Sequence, residues 1–237
     1  MQKAVAIDGP SGAGKSSLAK QLARDLNLLY VDTGAMFRGL ALYFYRQQVQ
    51  MDDDHSLGLY LPLISFVYGK SEDELIVIQG ENFTQDIRQH FVSDLASRIS
   101  KVPSVRKFLL QKQRDLAQSQ YCVMEGRDIG TVVFPRAFCK IFLTADPEVR
   151  AKRRFIELQA KGSSTTYQQV LDDVTERDKR DSEREIAPLK QASDALLLDT
   201  SALTQAQAQA ELKAKVLQRV QQLGLNDFPT FEEKPVL

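Results

Sequence analysis

Five short apolar runs alternate with long amphipathic stretches along this chain. The runs are AVAID (4–8), LLYVD (28–32), YCVME (121–125), CKIFLTA (139–145) and DALLLD (194–199). A strand that is covered on both faces of a sheet gives an unbroken apolar run, and the covering helices give the amphipathic stretches between such runs. The alternation therefore predicts an α/β fold with three layers around a five-stranded parallel sheet.

Helical periodicity predicts six helices between and after these runs. They are Lys15–Leu26, Ala35–Gln48, Ser104–Gln118, Pro147–Lys161, Tyr167–Arg184 and Thr204–Leu223. Pro147 suits the first turn of a helix, where its missing N–H is no loss, and Gly162 suits the residue that ends one. Two helices are thus expected on either side of a turn at residue 162.

Almost ninety residues separate the second and third apolar runs, far more than one crossover helix requires. Within them, SFVYGKSEDELIVIQGENFT (65–84) alternates like a small antiparallel hairpin. We therefore predict one unit over residues 1–237, with an inserted subdomain. The expected parts are a core at about 1–50, 104–150 and 185–225, the insert at about 51–103 and a lid at about 151–184.

Composition and charge limit the partners and the compartment. A hydrophobic content of 43% is enough for a core, and 31 basic residues balance 31 acidic ones, so no charge excess favours nucleic acid or a membrane. Cys122 and Cys139 lie in apolar runs without a ligand cluster, which predicts buried reduced thiols. The chain shows no signal peptide and no apolar stretch of about 20 residues, so we expect a cytoplasmic protein.

A glycine-rich loop gives the first chemical signal. Gly9, four residues, Gly14, Lys15 and Ser16 match GxxxxGK[ST], directly after a predicted strand and before a predicted helix. Such a loop turns successive N–H groups toward one anion, Lys15 reaches the β- and γ-phosphates, and the Ser16 hydroxyl is suited to bind Mg²⁺. An ordinary glycine-rich turn would explain the glycines but not the lysine and hydroxyl, so the loop predicts a triphosphate site.

Other segments narrow the class of nucleotide-binding protein. No NKxD segment is present for reading guanine, and the third apolar run ends in Glu125 followed by GRD rather than in the paired acidic residues of motors and transporters. A small-molecule kinase is the stronger hypothesis. Such an enzyme needs cations around two phosphate groups that repel each other, and a means of excluding water.

Arginines are placed where those cations are needed. Arg38 follows the second apolar run and Arg127 the third, and the carboxyl ends of parallel strands open onto one crevice, so both are expected near Lys15. Arg177 and Arg184, with further arginines, occupy the two helices around the turn at residue 162, which form a plausible lid. Residues 177, 180, 181 and 184 lie at spacings of three and four, so Arg177, Arg180 or Asp181, and Arg184 can share one helical face. A solvated helix with surface salt bridges fits the same pattern.

The chain resembles the bacterial cytidylate kinases, a branch of the nucleoside monophosphate kinase family, over nearly its whole length. The resemblance rests on IDGPSGAGKSS, DTGAMFR, VMEGRDIGTVVFP, KIFLTADPEVRAKRR, ERDKRDSERE followed by APL, and DALLLDTS. The segment EGRDIGTVVFP is the most discriminating, because other kinases of this fold differ after their third strand. The family also carries a long insert in its monophosphate-binding region.

The resemblance implies transfer of the γ-phosphoryl group of ATP to CMP or dCMP, with Mg²⁺ accompanying ATP. The implied ATP-binding residues are Gly9, Pro10, Ser11, Gly12, Ala13, Gly14, Lys15, Ser16, Ser17 and Arg153, with Ser16 on the metal. The implied CMP-binding residues are Thr33, Arg38, Ser97, Arg106, Arg127, Asp128, Arg177, Asp181 and Arg184. The implied catalytic residues are Lys15, Arg38, Arg127, Arg177 and Arg184.

Among the implied residues, Ser97, Arg106 and Asp128 fall where the family reads cytosine. A carboxylate accepts from the exocyclic amine of cytosine and repels the oxygen that uracil carries there, which favours Asp128 for base choice. Its alternative role is to orient Arg127. Many family members have serine where this chain has Thr33, which keeps the hydroxyl and adds a methyl group.

Several alternatives stay open at the level of sequence. Asp32 and Glu125 either order water around the metal or make hydrogen bonds at strand ends. The chain could be another small-molecule kinase of this fold, or a module that binds ATP without turnover. We expect small-molecule substrates, no nucleic acid or membrane partner, and a monomer. The preference between CMP and dCMP and the function of the C-terminal segment NDFPTFEEKPVL are not determined.

Overall fold

The computed structural model describes residues 1–118, 120–160 and 162–229. Its strands are β1 (Gln2–Asp8), β2 (Leu29–Asp32), β3 (Phe66–Tyr68), β4 (Ile76–Ile78), β5 (Glu81–Asn82), β6 (Cys122–Gly126), β7 (Ala137–Thr144) and β8 (Leu196–Asp199). Its helices are α1 (Lys15–Asp25), α2 (Thr33–Arg46), α3 (Asp54–Tyr60), α4 (His90–Ile99), α5 (Pro103–Leu116), α6 (Pro147–Ala160), α7 (Tyr167–Glu183) and α8 (Gln205–Leu223). A single π-helical turn spans Ile129–Val133.

The predicted α/β fold with a five-stranded parallel sheet is confirmed. The strand order is β2-β6-β1-β7-β8, and β1 pairs in parallel with both β6 and β7. The central residues of β1 are fully buried, as expected for a strand covered on both faces. Because Asp8 is in register with Gly126 and Phe142, the loop after β1 and the turn after β6 begin at the same edge of the sheet.

The six predicted helices are present, with ends that differ by about two residues. The last residue of one prediction, Lys161, lies outside the described residues. Helices α3 and α4 were not predicted from the sequence. Helix α3 is only seven residues long, although the Asp53 side chain caps it by accepting from the N–H groups of His55 and Ser56. Short helices inside an insert give too few periodic positions to be recognised.

The described chain divides into two compact units. The first consists of Met1–Tyr30 and the described residues from Ala117 onward, and the second of Val31–Leu116. The second unit is wider than the expected insert at 51–103, because it includes α2 and α5. The functional division into core, insert and lid stays a prediction.

The first unit has its core between the sheet and the helices that pack on it. Ile7 of β1, Leu22 of α1, Leu143 of β7 and Leu212 of α8 are at most 1% exposed in one continuous cluster. A smaller, separate cluster joins α6 to α7. The sheet core therefore holds the strand ends rigid, while the α6–α7 pair has an apolar contact of its own.

The second unit contains the predicted hairpin as part of a small antiparallel sheet. Strands β3, β4 and β5 pair in that order, with Phe66 opposite Ile78 and Val77 opposite Asn82. The inward side chains of β4, Ile76 and Ile78, are fully buried. The alternating pattern thus located the first two strands and missed only the two-residue β5.

Among the helices that the structure describes, not one combines the length and the low polarity that a membrane span would need.

Candidate active site

The glycine-rich loop connects β1 to α1, as its position in the sequence predicts. A side chain at Gly9 is excluded, because a Cβ atom there would lie 1.9 Å from the Leu143 carbonyl oxygen on β7. Helix α1 begins at Lys15, with Gly14 in a left-handed conformation before it and no side-chain cap. The first N–H groups of α1 are therefore left for an external anion, and the helix start adds a partial positive charge.

Lys15 lies buried beneath this loop. Its Nζ donates to the carbonyl oxygen of Pro10 at 2.7 Å, and its relative exposure is 6%. Burial, together with the positive charges of Arg127 and Arg177, lowers the pKa of Lys15 from 10.5 to about 7, although the negative charges of Glu125 and Asp8 oppose the shift. Three cationic side chains thus act on one another here, and an anion beside them would relieve their repulsion.

The hydroxyl groups of the loop differ in their surroundings. Ser17 donates to the Gly14 carbonyl oxygen at 3.0 Å, whereas the exposed Ser16 side chain makes no hydrogen bond among the described residues. Nowhere in residues 1–118, 120–160 and 162–229 do three His, Cys, Asp or Glu side chains form a group suited to a metal ion. The donor set fits Mg²⁺ carried in by nucleotide phosphates, because this ion is commonly held by substrate oxygens with few protein ligands.

Glu125 and Asp32 make hydrogen bonds at strand ends, which was one of the two alternatives for these carboxylates. Glu125 accepts from the Tyr30 hydroxyl at 2.6 Å and is 3% exposed. In the second unit, Asp32 accepts from the Ala35 N–H and pairs with Arg38 at 3.0 Å. A role around the metal is not needed to explain either side chain.

Two buried ion pairs connect α7 to the turn that follows β6. Nε of Arg127 donates to Asp181 at 2.7 Å, and Nη2 of Arg184 lies 3.5 Å from Oδ1 of Asp128. All four side chains are 18% exposed or less. Burial alone would raise the pKa of Asp181, but Arg127, with Arg177 and Arg184, lowers it below its ordinary value. The two carboxylates orient the arginine side chains and balance their positive charge within the protein.

The predicted face of α7 is present, and a fully solvated helix is the wrong description. Asp181 is 7% exposed and Arg180 is half-buried, with its Nε 3.9 Å from Glu176, whereas Lys179 and Glu183 are exposed. The two descriptions each fit one side of the helix, since the inner side is buried and the outer side carries surface charge.

Asp8 is a site residue that sequence reasoning missed. Its two carboxylate oxygens accept from the N–H groups of Ile129 and Gly130, each at 2.7 Å. Burial raises the pKa of Asp8 to about 6, although these two hydrogen bonds oppose the shift. Asp8 therefore fixes the π-helical turn directly after Arg127 and Asp128. An acidic residue closing an otherwise apolar strand, one position before the glycine loop, was the available signal.

Arg153 of α6 contacts the segment after β8. Its guanidinium donates to the Thr200 hydroxyl at 3.1 Å and to the Thr200 carbonyl oxygen at 2.7 Å. The same hydroxyl lies 3.4 Å from the carbonyl oxygen of Ala13 in the glycine loop. Arg153 thus anchors α6 close to the loop, and its expected role in binding ATP stays a prediction.

The remaining predicted residues belong to the second unit. Thr33 opens α2 and is 4% exposed, and Arg38 follows on the same helix. Arg106 of α5 lies over the Phe37 ring at 5.9 Å and donates to the Ser100 carbonyl oxygen at 3.1 Å. The Ser100 hydroxyl donates in turn to the carbonyl oxygen of Ser97, the fourth predicted residue.

These contacts bring the predicted residues of α2, α4 and α5 into one neighbourhood within the second unit. The expected convergence of Arg38 with Lys15 and Arg127 involves both units, and it stays a prediction.

The chain is similar to cytidylate kinases along most of its length. The family model described as cytidylate kinase matches residues 5–222. The cytidylate kinase of Caldicellulosiruptor saccharolyticus is 44% identical over 204 residues, which cover 84% of this chain and 89% of that protein. The cytidylate kinase of Citrifermentans bemidjiense is 43% identical over 219 residues, which cover 92% and 94%. Among solved structures, a shikimate kinase from Bacteroides thetaiotaomicron has a TM-score of 0.44 at 15% identity, over 94% of this chain and 98% of its own.

Proposed function

The chain belongs to the cytidylate kinase family, and we infer that it transfers the γ-phosphoryl group of ATP to CMP or dCMP, giving ADP and CDP or dCDP. The geometric observation that supports this function is the group of cations around Lys15. Lys15 is buried at an uncapped helix start, and the positive charges of Arg127 and Arg177 act on it, so an anionic ligand there would stabilise its charged form. Nucleotide phosphates supply that charge.

We propose that two sets of side chains in the first unit divide the work. The glycine loop, Lys15 and Ser16 hold the phosphates of ATP, and Arg153 supports the nucleotide from α6. Arg127, Arg177 and Arg184 hold the phosphate of CMP and neutralise the charge that spreads over the transferred group.

The second unit supplies the remaining proposed contacts. Thr33 and Arg38 are proposed to hold the sugar-phosphate part of CMP, and Ser97 and Arg106 are proposed to read cytosine, as is Asp128. Asp181 holds Arg127 in position and contacts the ribose. Transfer then needs little covalent work from the protein, because alignment and charge neutralisation lower the barrier.

Mg²⁺ is the proposed metal, held by the nucleotide phosphates and the Ser16 hydroxyl. When bound, it would neutralise part of the charge of the phosphates. The exposed Ser16 hydroxyl in the first turn of α1, which makes no hydrogen bond among the described residues, supports this assignment.

We further propose a cytoplasmic monomer. The buried, unbonded thiols of Cys122 and Cys139 support a reducing compartment, and burial raises the pKa of each to about 12, which keeps them unreactive.

A panel of acceptors with ATP and Mg²⁺ tests the proposed reaction. We expect ADP release that depends on the acceptor when CMP or dCMP is present. The values of kcat/KM for UMP and AMP should be at least ~100-fold lower, because a site that forms hydrogen bonds to the polar groups of one base leaves its own polar groups unpaired when another base binds. Equal rates with CMP, UMP and AMP would contradict cytosine reading. Turnover of a non-nucleotide alcohol instead would indicate another kinase of this fold, and ADP release that ignores every acceptor would indicate a nucleotide-binding module.

A further inference from the structure

Arg150 of α6 connects three segments through one buried guanidinium group. Its Nε donates to the Ala145 carbonyl oxygen at 2.7 Å, and its Nη1 donates to the Ser11 carbonyl oxygen in the glycine loop at 3.0 Å. Its Nη2 pairs with Asp178 of α7 at 2.6 Å. The side chain is 3% exposed, so it is inaccessible to solvent and has no place for a substrate.

The loop also packs directly on the stem of Arg150. A Cβ atom at Gly12 would lie 3.2 Å from Cβ of Arg150, and Gly12 has a left-handed backbone with φ of +76°. The tip of the phosphate loop therefore rests on this residue, through its backbone at Gly12 and through the hydrogen bond to Ser11.

The ion pair with Asp178 connects Arg150 to the side of α7 that carries Asp181. Asp178 lies three residues before Asp181, so both carboxylates project from the same side of the helix. Two further ion pairs at the carboxyl end of α7 involve Arg127 and Arg184, which are proposed phosphate ligands, so their carboxylate partners compete with substrate. The pair formed by Arg150 involves no proposed ligand and can persist while substrate binds.

We propose that Arg150 is a positioning residue for phosphoryl transfer, which holds the phosphate loop and α7 in a fixed register. The inference rests on the proposed function, since the loop carries the donor and α7 carries arginines for the acceptor phosphate. A small displacement of one relative to the other lowers the rate of transfer more than the binding of either substrate, because transfer requires in-line alignment.

The substitution Arg150→Lys tests this role while keeping the charge. A lysine ammonium is a compact point charge on a flexible stem and cannot reach three segments with the fixed geometry of guanidinium. We expect kcat for CMP to fall at least ~10-fold, with KM for CMP and Kd for a non-hydrolysable ATP analogue each within ~3-fold of the parent. The matched control is Arg154→Lys on the same helix, a partly exposed residue that pairs with Glu157 at 3.1 Å and should leave all three values unchanged.

Variants of Asp178 separate positioning from simple stability. Asp178→Asn keeps an oxygen facing Arg150 and should retain kcat within ~3-fold, whereas Asp178→Leu removes the contact and should lower kcat as Arg150→Lys does. The double variant Arg150→Met with Asp178→Leu replaces the buried pair with apolar side chains, which is often neutral for stability. We expect it to restore the Tm of the parent but not its kcat.

Two outcomes would overturn the inference while leaving the proposed function intact. One is an active parent whose Arg150→Lys variant has the same kcat. The other is a double variant that recovers kcat together with Tm, because Arg150 would then serve stability alone. A parent that does not phosphorylate CMP would instead refute the proposed function, and this inference with it.

Discussion

At the scale of single residues, Lys15 shows a conflict between function and stability. Its ammonium group is buried, and among the described residues it donates a hydrogen bond to a carbonyl oxygen rather than to a carboxylate. Its pKa of about 7 reflects this burial and the charges of nearby arginines. In the unfolded chain the pKa is 10.5, so folding costs free energy wherever the lysine must stay charged. The nucleotide-free protein is therefore destabilised by the residue that is proposed to hold phosphate.

The substitution Lys15→Met should therefore stabilise the nucleotide-free protein while abolishing turnover. Because the pKa of Lys15 is lower in the folded protein, its charge reduces the free energy of unfolding by the full amount below pH 7. This reduction becomes smaller as the pH rises toward 10.5. We expect Lys15→Met to raise Tm by roughly 3 °C or more at pH 6.5, and this gain to shrink by about half at pH 9. Differential scanning fluorimetry measures both, and a variant less stable than the parent at pH 6.5 would contradict the argument.

Asp128 is the residue on which base choice is expected to depend. Its contact with Arg184 at 3.5 Å gives it a second role, because removing its charge leaves a buried arginine less balanced. Arg127, which it was alternatively expected to orient, has Nε directed to Asp181 instead.

The substitution Asp128→Asn separates these roles through a ratio. We expect kcat/KM for CMP relative to UMP to fall at least ~10-fold, since one good base contact is worth about 1–3 kcal/mol of discrimination. KM for ATP should change less than ~3-fold. Should activity with CMP and UMP fall by the same factor, Asp128 would act only through Arg184.

At the scale of secondary-structure elements, α6 and α7 form a unit with its own small core. Leu158 packs with Val170 and Val174, and the Thr166 side chain caps α7 in a reciprocal pair with Gln169. The rest of the contact with the sheet is polar, through arginine pairs and through Arg153 on Thr200. The pair of helices therefore holds itself together by apolar contacts and is attached to the rest of the first unit mainly by polar ones.

Arg177 tests whether this pair of helices acts in the transfer step. The substitution Arg177→Ala removes one of the cations that act on Lys15 but none of the loop N–H groups that are proposed to hold ATP. We expect kcat to fall at least ~100-fold with Kd for ATP within ~3-fold. The exposed Lys179→Ala on the same helix is the control for a simple loss of charge. Equal losses in turnover and ATP affinity would mean that Arg177 only binds the donor.

At the scale of the whole molecule, the residues after α8 pack on the first unit at the amino ends of its strands, opposite the glycine-rich loop. Phe228 packs against Tyr121 and Phe138, at ring distances of 5.0 Å and 5.7 Å. Asp227 accepts from the Tyr121 hydroxyl at 2.7 Å and pairs with Lys3 at 2.8 Å. The segment NDFP at 226–229 is thus docked on the amino ends of the strands, and the residues of the tail beyond it lie outside the described part of the chain.

The substitution Phe228→Ala should lower stability and leave catalysis unchanged. Phe228 is 4% exposed, and loss of a buried phenylalanine costs about 3–5 kcal/mol. The contact lies at the amino ends of β6 and β7, far along the strands from the glycine loop, so kcat at 25 °C should stay within ~2-fold. Urea unfolding and steady-state kinetics measure the two effects, and Leu217→Ala at a surface position is the control. A large loss of kcat in the folded variant would argue for a role of the tail in function.

Sequence patterns predicted the elements that have long or unbroken signals. The five core strands and six helices were predicted because each has enough positions for a pattern, and the glycine loop because its lysine and hydroxyl have fixed spacing. Helices α3 and α4 were missed, since α3 is short and α4 has no side-chain cap. Asp8 and Arg150 were missed because a single charged residue in an apolar strand or a basic helix does not indicate what it contacts.

The sequence by itself determined the fold class, the glycine-rich loop, the helices α6 and α7 and the resemblance to cytidylate kinases, because each depends on residue types at characteristic spacings within continuous segments. Only the tertiary structure decided which carboxylate faces which arginine, that Lys15 is buried among cations, and that Arg150 joins the loop to α7. These contacts link residues far apart in the chain, and their strength depends on burial and distance, which no local pattern specifies.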